Sequence, residues 1–279
     1  MASFPPVPAP GAAPFAPQVL EAPAHWRCID FLSDLHLQGA QPRTFAALRA
    51  HLLATPADAV FMLGDLFEAW VGDDAADEGF ERECAELFAQ LSRRLTLAFL
   101  PGNRDFLVGP AFLARSGVVG LADPTLLRAF GRSLLLTHGD ALCLEDRDYQ
   151  RFRATVRNPR WQAEFLAQPL ARRREIAAAL RAESRQRQGG PAPDAARQPD
   201  GLGADVDAQA ALAWLQACDA PAMIHGHTHR PADHALADGC WRHVLSDWEF
   251  DVAPDRIRGD VLRLTGDGLQ RLPVAPSPA

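Results

Sequence analysis

The chain has no lysine: its 28 basic residues are all arginine, set against 35 acidic ones for a formal net charge of −7. An acidic balance of this size weighs against general nucleic-acid binding and makes the positions of the arginines more informative than their number. Cysteine is also scarce. Cys28, Cys84, Cys143, Cys218 and Cys240 are odd in number, widely scattered and without a CxxC pair, which excludes a disulfide framework or a thiolate zinc site and points to reduced thiols in a cytosolic protein. No apolar run is long enough to span a bilayer. Residues 1–25 contain no Lys or Arg, and their repeated prolines interrupt any signal-peptide core, so they read as a disordered tail.

What the chain does have is enough apolar residue, 48% of 279, to bury one sizeable core, so one main domain is expected over 26–273, with 274–279 fraying. Short apolar runs recur along it, each ending in residues that bind metals or carry acid. "CIDFLSDLH" ends in Asp34 and His36, "DAVFMLGD" in Asp65, "LTLAFLPGN" in Asn103, "SLLLTHGD" in His138, and "PAMIHGHTH" in His225, His227 and His229. Runs of four to six apolar residues bounded by Gly, Asp or Asn read as buried strands, and the segments between them ("TFAALRAHLLA", "FERECAELFAQLSRR", "AQAALAWLQAC") have helical period. Strand and helix alternate, which predicts an α/β fold. Ligands of such sheets bind beyond the carboxyl ends of the strands, where every polar cluster falls.

Taken singly, each cluster has a bland explanation: Asp34 could cap a turn, Gly64-Asp65 could be a loop, and a lone His138 could be a satisfied core histidine. Together, Asp34, His36, Asp65, Asn103, His138, His227 and His229 supply carboxylate, amide and imidazole without thiolate. Such donors suit Mn, Fe or Zn, and they outnumber what one ion takes from protein, so two ions sharing a carboxylate are expected. In an extended segment His225, His227 and His229 point to one side, and spacing alone does not choose between them.

The motifs "DLH", "GD", "GNRD", "HGD" and "GHTH", in this order from Ile29 to Arg230, resemble those of the calcineurin-like metallophosphoesterases. Within that superfamily "LGDLFEAWVGDD", "PGNRDFLVG", "THGDALCLED", "RAESR" and "IHGHTHRP" look like the UDP-2,3-diacylglucosamine pyrophosphohydrolases of lipid A synthesis. The resemblance implies a two-sheet β core flanked by helices (αββα) with an inserted helical lid. It implies one Mn ion on Asp34, His36, Asp65 and His229 and a second on Asp65, Asn103, His138 and His227, with Asp65 bridging; His225 is left to packing.

Related phosphoesterases have "GNH" where this chain has "GNR", so the acid that would protonate an alkoxide leaving group is missing. A phosphate leaving group needs less help, since the second ionisation of a phosphomonoester lies at a pKa of about 6. Arg104 can instead bind phosphoryl oxygens bidentately. "GNRD" therefore favours a diphosphate, cleaved by in-line attack of water at the α-phosphorus to release UMP and 2,3-diacylglucosamine 1-phosphate. Asn103 can also touch a phosphoryl oxygen, and Asp105 is expected to brace the turn.

Between Arg147 and Arg187 stand eleven arginines against four acidic residues. Tyr149, Phe152, Val156, Trp161, Phe165, Leu166, Leu170, Ile176 and Leu180 follow at helical spacing. The bland reading is a solvated helix face packed on the core. The resemblance implies a lid over 145–188 in which Asp146 and Ser184, with Asn103, Arg104 and His227, hold the substrate, apolar side chains line an acyl chamber, and the basic surface rests peripherally on the cytoplasmic face of an anionic inner membrane. The chain departs from the pattern after Ser184, where Gln188 and Pro191 replace an Asn and a Lys, and 189–205 reads as a flexible insertion. "WRHVLSDWEF" and "DVLRLTGDGLQRLPV" read as strands closing the second sheet. A phosphoesterase for another nucleotide and a non-catalytic scaffold are the alternatives; the lid argues against the first and the complete ligand set against the second.

Overall fold

The computed structural model describes residues 16–189 and 204–276, the stretch 183–189 by its backbone alone. Its elements are β1 (Gln18–Glu21), β2 (Cys28–Leu32), α1 (Pro42–Ala54), β3 (Ala59–Leu63), α2 (Gly79–Leu91), β4 (Thr96–Leu100), α3 (Pro110–Ser116), β5 (Val119–Gly120), β6 (Thr125–Ala129), β7 (Arg132–Leu136), α4 (Arg147–Val156), α5 (Pro159–Leu166), α6 (Leu170–Gly189), α7 (Ala208–Ala217), β8 (Ala222–His225), β9 (Ala232–Ala235), β10 (Trp241–Val244), β11 (Asp260–Thr265) and β12 (Gly268–Pro273). Two six-stranded mixed sheets form, ordered β12-β11-β2-β3-β4-β5 and β1-β6-β7-β8-β10-β9.

Side-chain alternation explains the layering. In β3, Ala59, Phe61 and Leu63 face the second sheet, where they meet Leu127, Leu134, Leu136 and Ile224, while Val60 and Met62 face α1 and α2. The outer face of the second sheet buries Leu126, Leu135 and Met223 under Ala211 and Leu215 of α7. A strand buried on both faces has no polar alternation, so β2 and β3 read in sequence as continuous apolar runs. Phe31 and Phe61 are fully buried with ring centroids 5.5 Å apart, each side chain contributing about 2–3 kcal/mol by burial. The αββα core follows.

One polar residue interrupts β2. Asp30 is fully buried on the helix side, accepting hydrogen bonds from Arg263 (2.7 and 2.9 Å) and Thr55 (2.6 Å), with His51 Nε2 at 3.1 Å. Burial favours its neutral form, and the bonds from Arg263, His51 and Thr55 outweigh that and hold the carboxyl far below the ordinary range. A group depressed in the fold stabilises it above its unfolded pKa of about 4 and loses that contribution as pH falls. Asp30→Asn should therefore cost about 3 kcal/mol at pH 7, because Arg263 keeps a partly buried, unmatched charge. Urea unfolding of both proteins should show the gap narrowing below pH 4; a constant gap would mean that charge is not its source.

The structure corrects four sequence expectations. The disordered tail does not extend to residue 25: Gln18–Glu21 form β1, parallel to β6, because this proline-free stretch can add to a free edge, where Gln18 Oε1 accepts the Ala122 N–H (2.7 Å). Residues 1–15, and 190–203 of the expected insertion, lie outside the described residues, but Asp205 pairs with Arg242 at 2.8 Å and Val274 N bonds Gly259 O at 2.9 Å. The β11–β12 hairpin joins the first sheet beside β2, not the second, since Leu262 and Leu264 pair with Phe31 and Ile29; Trp241–Val244 does join the second.

Candidate metal centre

The strand ends place the seven ligand-type residues. β2, β3 and β4 run parallel in one sheet, β7 and β8 in the other, and the loops beyond their carboxyl ends meet. Parallel pairing continues past β2 and β3 through Asp34 N to Gly64 O (3.0 Å) and His36 N to Asp65 O (3.0 Å). Across the sheets, the Asp34 Oδ2 carboxylate oxygen accepts the His227 N–H (2.9 Å) and the Ser33 hydroxyl (2.6 Å). The backbone is strained at the junction: Asp34, His36, Asp65, His227 and His229 all have φ between 49° and 67°. Non-glycine residues avoid this region, and such strain gathers at sites where the surroundings overdetermine it. Gly64 cannot be replaced, because a Cβ there would come within 2.7 Å of the Gly102 Cα and its φ is +88°.

Two groups of ligand atoms result, Asp34-His36-His229 and Asp34-Asp65-His138, each with its atoms within 4.8 Å of one another. Asp34 belongs to both, whereas the resemblance gave the shared role to Asp65. Nε2 atoms of His36 and His229 face each other at 3.3 Å, with Asp34 Oδ1 3.3 Å from the latter and, among the described residues, without a hydrogen-bond donor. Asn103 Oδ1 stands 2.9 Å from His138 Nε2 and 2.8 Å from His227 Nδ1, and Asp65 Oδ1 lies 3.6 Å from His138 Nε2. With the outer nitrogens of His36, His138 and His229 turned to their own partners, the inner nitrogens and oxygens form a set of donors that suits positive charge between them. Burial opposes charge on His138, yet the carboxylates of Asp65, Asp34 and Asp140 push it up to about 9, while burial and the His138 charge push His227 down to about 4. Oxygen and nitrogen donors with an orphaned, fully buried carboxylate oxygen fit divalent cations of the Mn, Fe and Zn type.

The outer ring nitrogens have their own partners, none of which stood out in the sequence. His138 Nδ1 bonds Leu63 O (2.9 Å), His36 Nδ1 faces Glu68 Oε2 (3.2 Å), and His229 Nδ1 faces Asp247 Oδ2 (3.4 Å). Such partners orient a ligating imidazole. Asp247 is in turn held by Arg258 (Nε at 2.8 Å), so its signal was an acid in "SDWEF" next to a strand, too weak to single out. His225 is buried, bonds Gly226 O through Nδ1 (2.8 Å) and abuts Gly139, so it stands apart from both groups.

The rest of "GNRD" has divided roles. Asp105 is fully buried and accepts N–H bonds from Gly102 (2.8 Å), Leu66 (2.6 Å) and Phe67 (3.2 Å), tying the loops after β3 and β4; burial and Asp65 push its carboxyl up to about 7. Arg104 N donates to Asp65 Oδ1 (2.8 Å), leaving the half-exposed guanidinium beside the cluster, 3.5 Å from Glu68.

Helices α4 to α6 are tied to this region by arginines that composition alone would have assigned to solvent. Arg153 and the Tyr149 hydroxyl bond the buried Asp140 carboxylate, Arg157 bonds Gly102 O (2.9 Å) across the Phe106 ring, and Arg173 reaches Val71 O and Asp74. Arg151, Arg160 and Arg172 instead form exposed pairs along their own helices. The apolar positions divide likewise: Val156 and Phe165 are buried, while Phe152 and Leu166 are about 40% exposed. Asp146 caps α4, its Oδ1 accepting the Tyr149 N–H (3.0 Å). Ser184 lies on α6 in the stretch whose side chains are outside the described residues. No helix among the described residues is long and apolar enough to cross a membrane.

Comparison with known proteins agrees with this arrangement. The calcineurin-like phosphoesterase family matches residues 29–231, the span from β2 to the last histidine motif. A UDP-2,3-diacylglucosamine hydrolase of Xanthomonas campestris is 42% identical over 249 residues, covering 86% of this chain and 96% of its own. Its Chromobacterium violaceum namesake is 42% identical over 88% of this chain and 98% of its own, and that of Aromatoleum aromaticum 43% identical over 80% and 89%. With the matched span enclosing every residue that converges at the strand ends, the chain belongs to the calcineurin-like phosphoesterases.

Proposed function

We propose that the protein hydrolyses the pyrophosphate bond of UDP-2,3-diacylglucosamine, attacking the α-phosphorus with water and releasing UMP and 2,3-diacylglucosamine 1-phosphate (lipid X) for lipid A synthesis. The observation that carries this reading is the meeting of seven oxygen and nitrogen donors from five strand ends beside one arginine, in a chain whose relatives bear that substrate's name. Asp34, His36, Asp65 and His229 would hold one Mn ion, and Asp65, Asn103, His138 and His227 the other, with Asp65 as bridge; Fe or Zn suits the same donors. When bound, the two cations supply an activated water and neutralise phosphoryl charge.

The chain's own groups supply the rest. Arg104, permanently charged and free to turn its fork toward a phosphate, stabilises the charge that builds on the phosphoryl oxygens. Asn103 keeps a fixed carbonyl oxygen inward and its amide available to the same oxygens. Departure of a sugar phosphate needs no protonating histidine, consistent with Arg at position 104. The segment 145–188 acts as a lid in which Asp146 and Ser184 hold the glucosamine, while His227 also contacts the substrate. Exposed Phe152, Leu166 and Leu180 support contact with acyl chains or with an anionic inner-membrane surface on its cytoplasmic side, assisted by the arginines.

The test is Mn-dependent UMP release from UDP-2,3-diacylglucosamine in detergent micelles, beside unacylated UDP-N-acetylglucosamine and an aryl phosphodiester. Selective turnover of the acylated substrate, at least tenfold over the unacylated one, is expected. Cleavage of the aryl diester alone would leave the phosphoesterase and remove the lipid substrate.

A further inference from the structure

Glu68 sits in the turn after β3, its backbone N–H bonded to Leu37 O at 3.1 Å, so the position of its side chain is set by the same pairing that places Asp34 and His36. Its carboxylate is only 15% exposed and meets three groups from three different parts of the fold. Oε2 is 3.2 Å from His36 Nδ1, on the loop after β2. Oε1 accepts from Arg181 Nη2 of α6 at 2.7 Å and lies 3.5 Å from Arg104 Nη1, on the loop after β4. Burial favours the neutral acid, but His36 and the two guanidinium groups hold the carboxyl down to about 2.

The three partners are of different kinds. His36 belongs to a ligand group, Arg104 flanks it, and Arg181 belongs to α6, which reaches the turn after β3 through this bond. Toward its N-terminal end α6 is held by Arg173, bonded to Val71 O and Asp74, and by Ile176 and Ala177 against the first core. Arg181 lies eight residues beyond Arg173, about 12 Å along the axis at 1.5 Å per residue, so its bond to Glu68 ties a different part of the helix. Two guanidinium groups sharing one carboxylate oxygen would repel each other without it. Among the described residues the Arg181 Nε–H is buried without an acceptor, and the guanidinium is held by its bond to Glu68.

We propose that Glu68 is a positioning residue that couples the lid to the metal centre: one carboxylate orients the His36 ring with Nε2 inward, sets Arg104 beside the cluster, and latches α6 through Arg181. This rests on the dimetal reading above. A carboxylate that served only to balance charge would loosen α6 when lost but leave metal uptake alone; a coupling residue changes both.

The experiment uses the full-length protein, stripped by chelator and titrated with Mn(II) by calorimetry, with hydrogen exchange of α6 peptides measured in parallel. Wild type should take up two ions. Glu68→Gln, which keeps the shape and removes the charge, should weaken one of the two by roughly 10–100-fold and leave the other in place, and should speed exchange in α6 at least tenfold. Arg181→Ala should speed α6 exchange to a similar degree with both Mn affinities unchanged. Two wild-type affinities in Glu68→Gln, or unaltered α6 exchange in it, would overturn the coupling. Should Glu68→Gln fail to fold, Glu68→Asp, which keeps the charge but withdraws it by one methylene, must show the same two losses. Fewer than two ions in the wild type would remove the dimetal reading itself, and the inference with it.

Discussion

Asp65→Asn is expected to reduce turnover by about a thousandfold or more while leaving the metal-free fold close to its original stability. The substitution keeps the shape of the side chain, and asparagine tolerates the left-handed backbone at φ 52°. Its Oδ1 can still accept the Arg104 N–H, now at 2.8 Å. Only the charge is lost. Two opposing neighbours then offset each other in the metal-free protein, since His138 loses an attracting carboxylate at 3.6 Å and the buried Asp105 loses a repelling one. With Mn present nothing would offset the loss, because the carboxylate proposed to bridge the two ions would carry several kcal/mol of charge stabilisation. Melting with EDTA and with excess Mn separates the effects. Wild type should gain a Mn-dependent rise in melting temperature and the variant little of it, as expected when a ligand binds only the folded state. A large drop in EDTA would make Asp65 a structural residue and weaken the metal assignment.

Arg104→Ala should act on rate alone. The backbone N–H of residue 104, which holds Asp65 Oδ1, survives in alanine, and the guanidinium contacts Glu68 rather than any ligand-type side chain. Two Mn ions should therefore bind as in wild type while kcat falls about a thousandfold, the scale on which single transition-state donors and arginine fingers act. Arg104→Lys should recover little, since an ammonium cannot make the bidentate contact. Steady-state kinetics with the acylated substrate would read this directly, and a near-normal kcat in Arg104→Ala would show that "GNRD" is a turn motif without a role in phosphoryl chemistry.

Much of the site was legible because its residues terminate strands. An apolar run that stops at Asp34, Asp65, Asn103, His138 or His225 marks both a buried strand and the end at which a parallel sheet presents its loops. Glycine beside Asp65, Asn103, His138 and His225 added to the signal. The arginine island was visible but its direction was not: Arg153, Arg157, Arg173 and Arg181 turn inward while Arg151, Arg160 and Arg172 pair on the surface, although all lie on the same helices or, for Arg157, at the end of one. Strand residues near the ends of the chain were harder still, since β1 and the β11–β12 hairpin take their places from the free edges of the sheets.

The sequence by itself determined which donors this protein can offer and that they stand at the ends of strands in an alternating α/β chain, because apolar periodicity and residue chemistry are local properties. Only the tertiary structure decided that Asp34 would stand within reach of both ligand groups, that five of the seven residues would take left-handed backbone, and that Glu68 and Asp247 would face the outer nitrogens of His36 and His229. Those arrangements depend on contacts between loops from two sheets, and a contact between residues as far apart as Asp34 and His227 is set by how the sheets pack, which no local stretch of chain encodes.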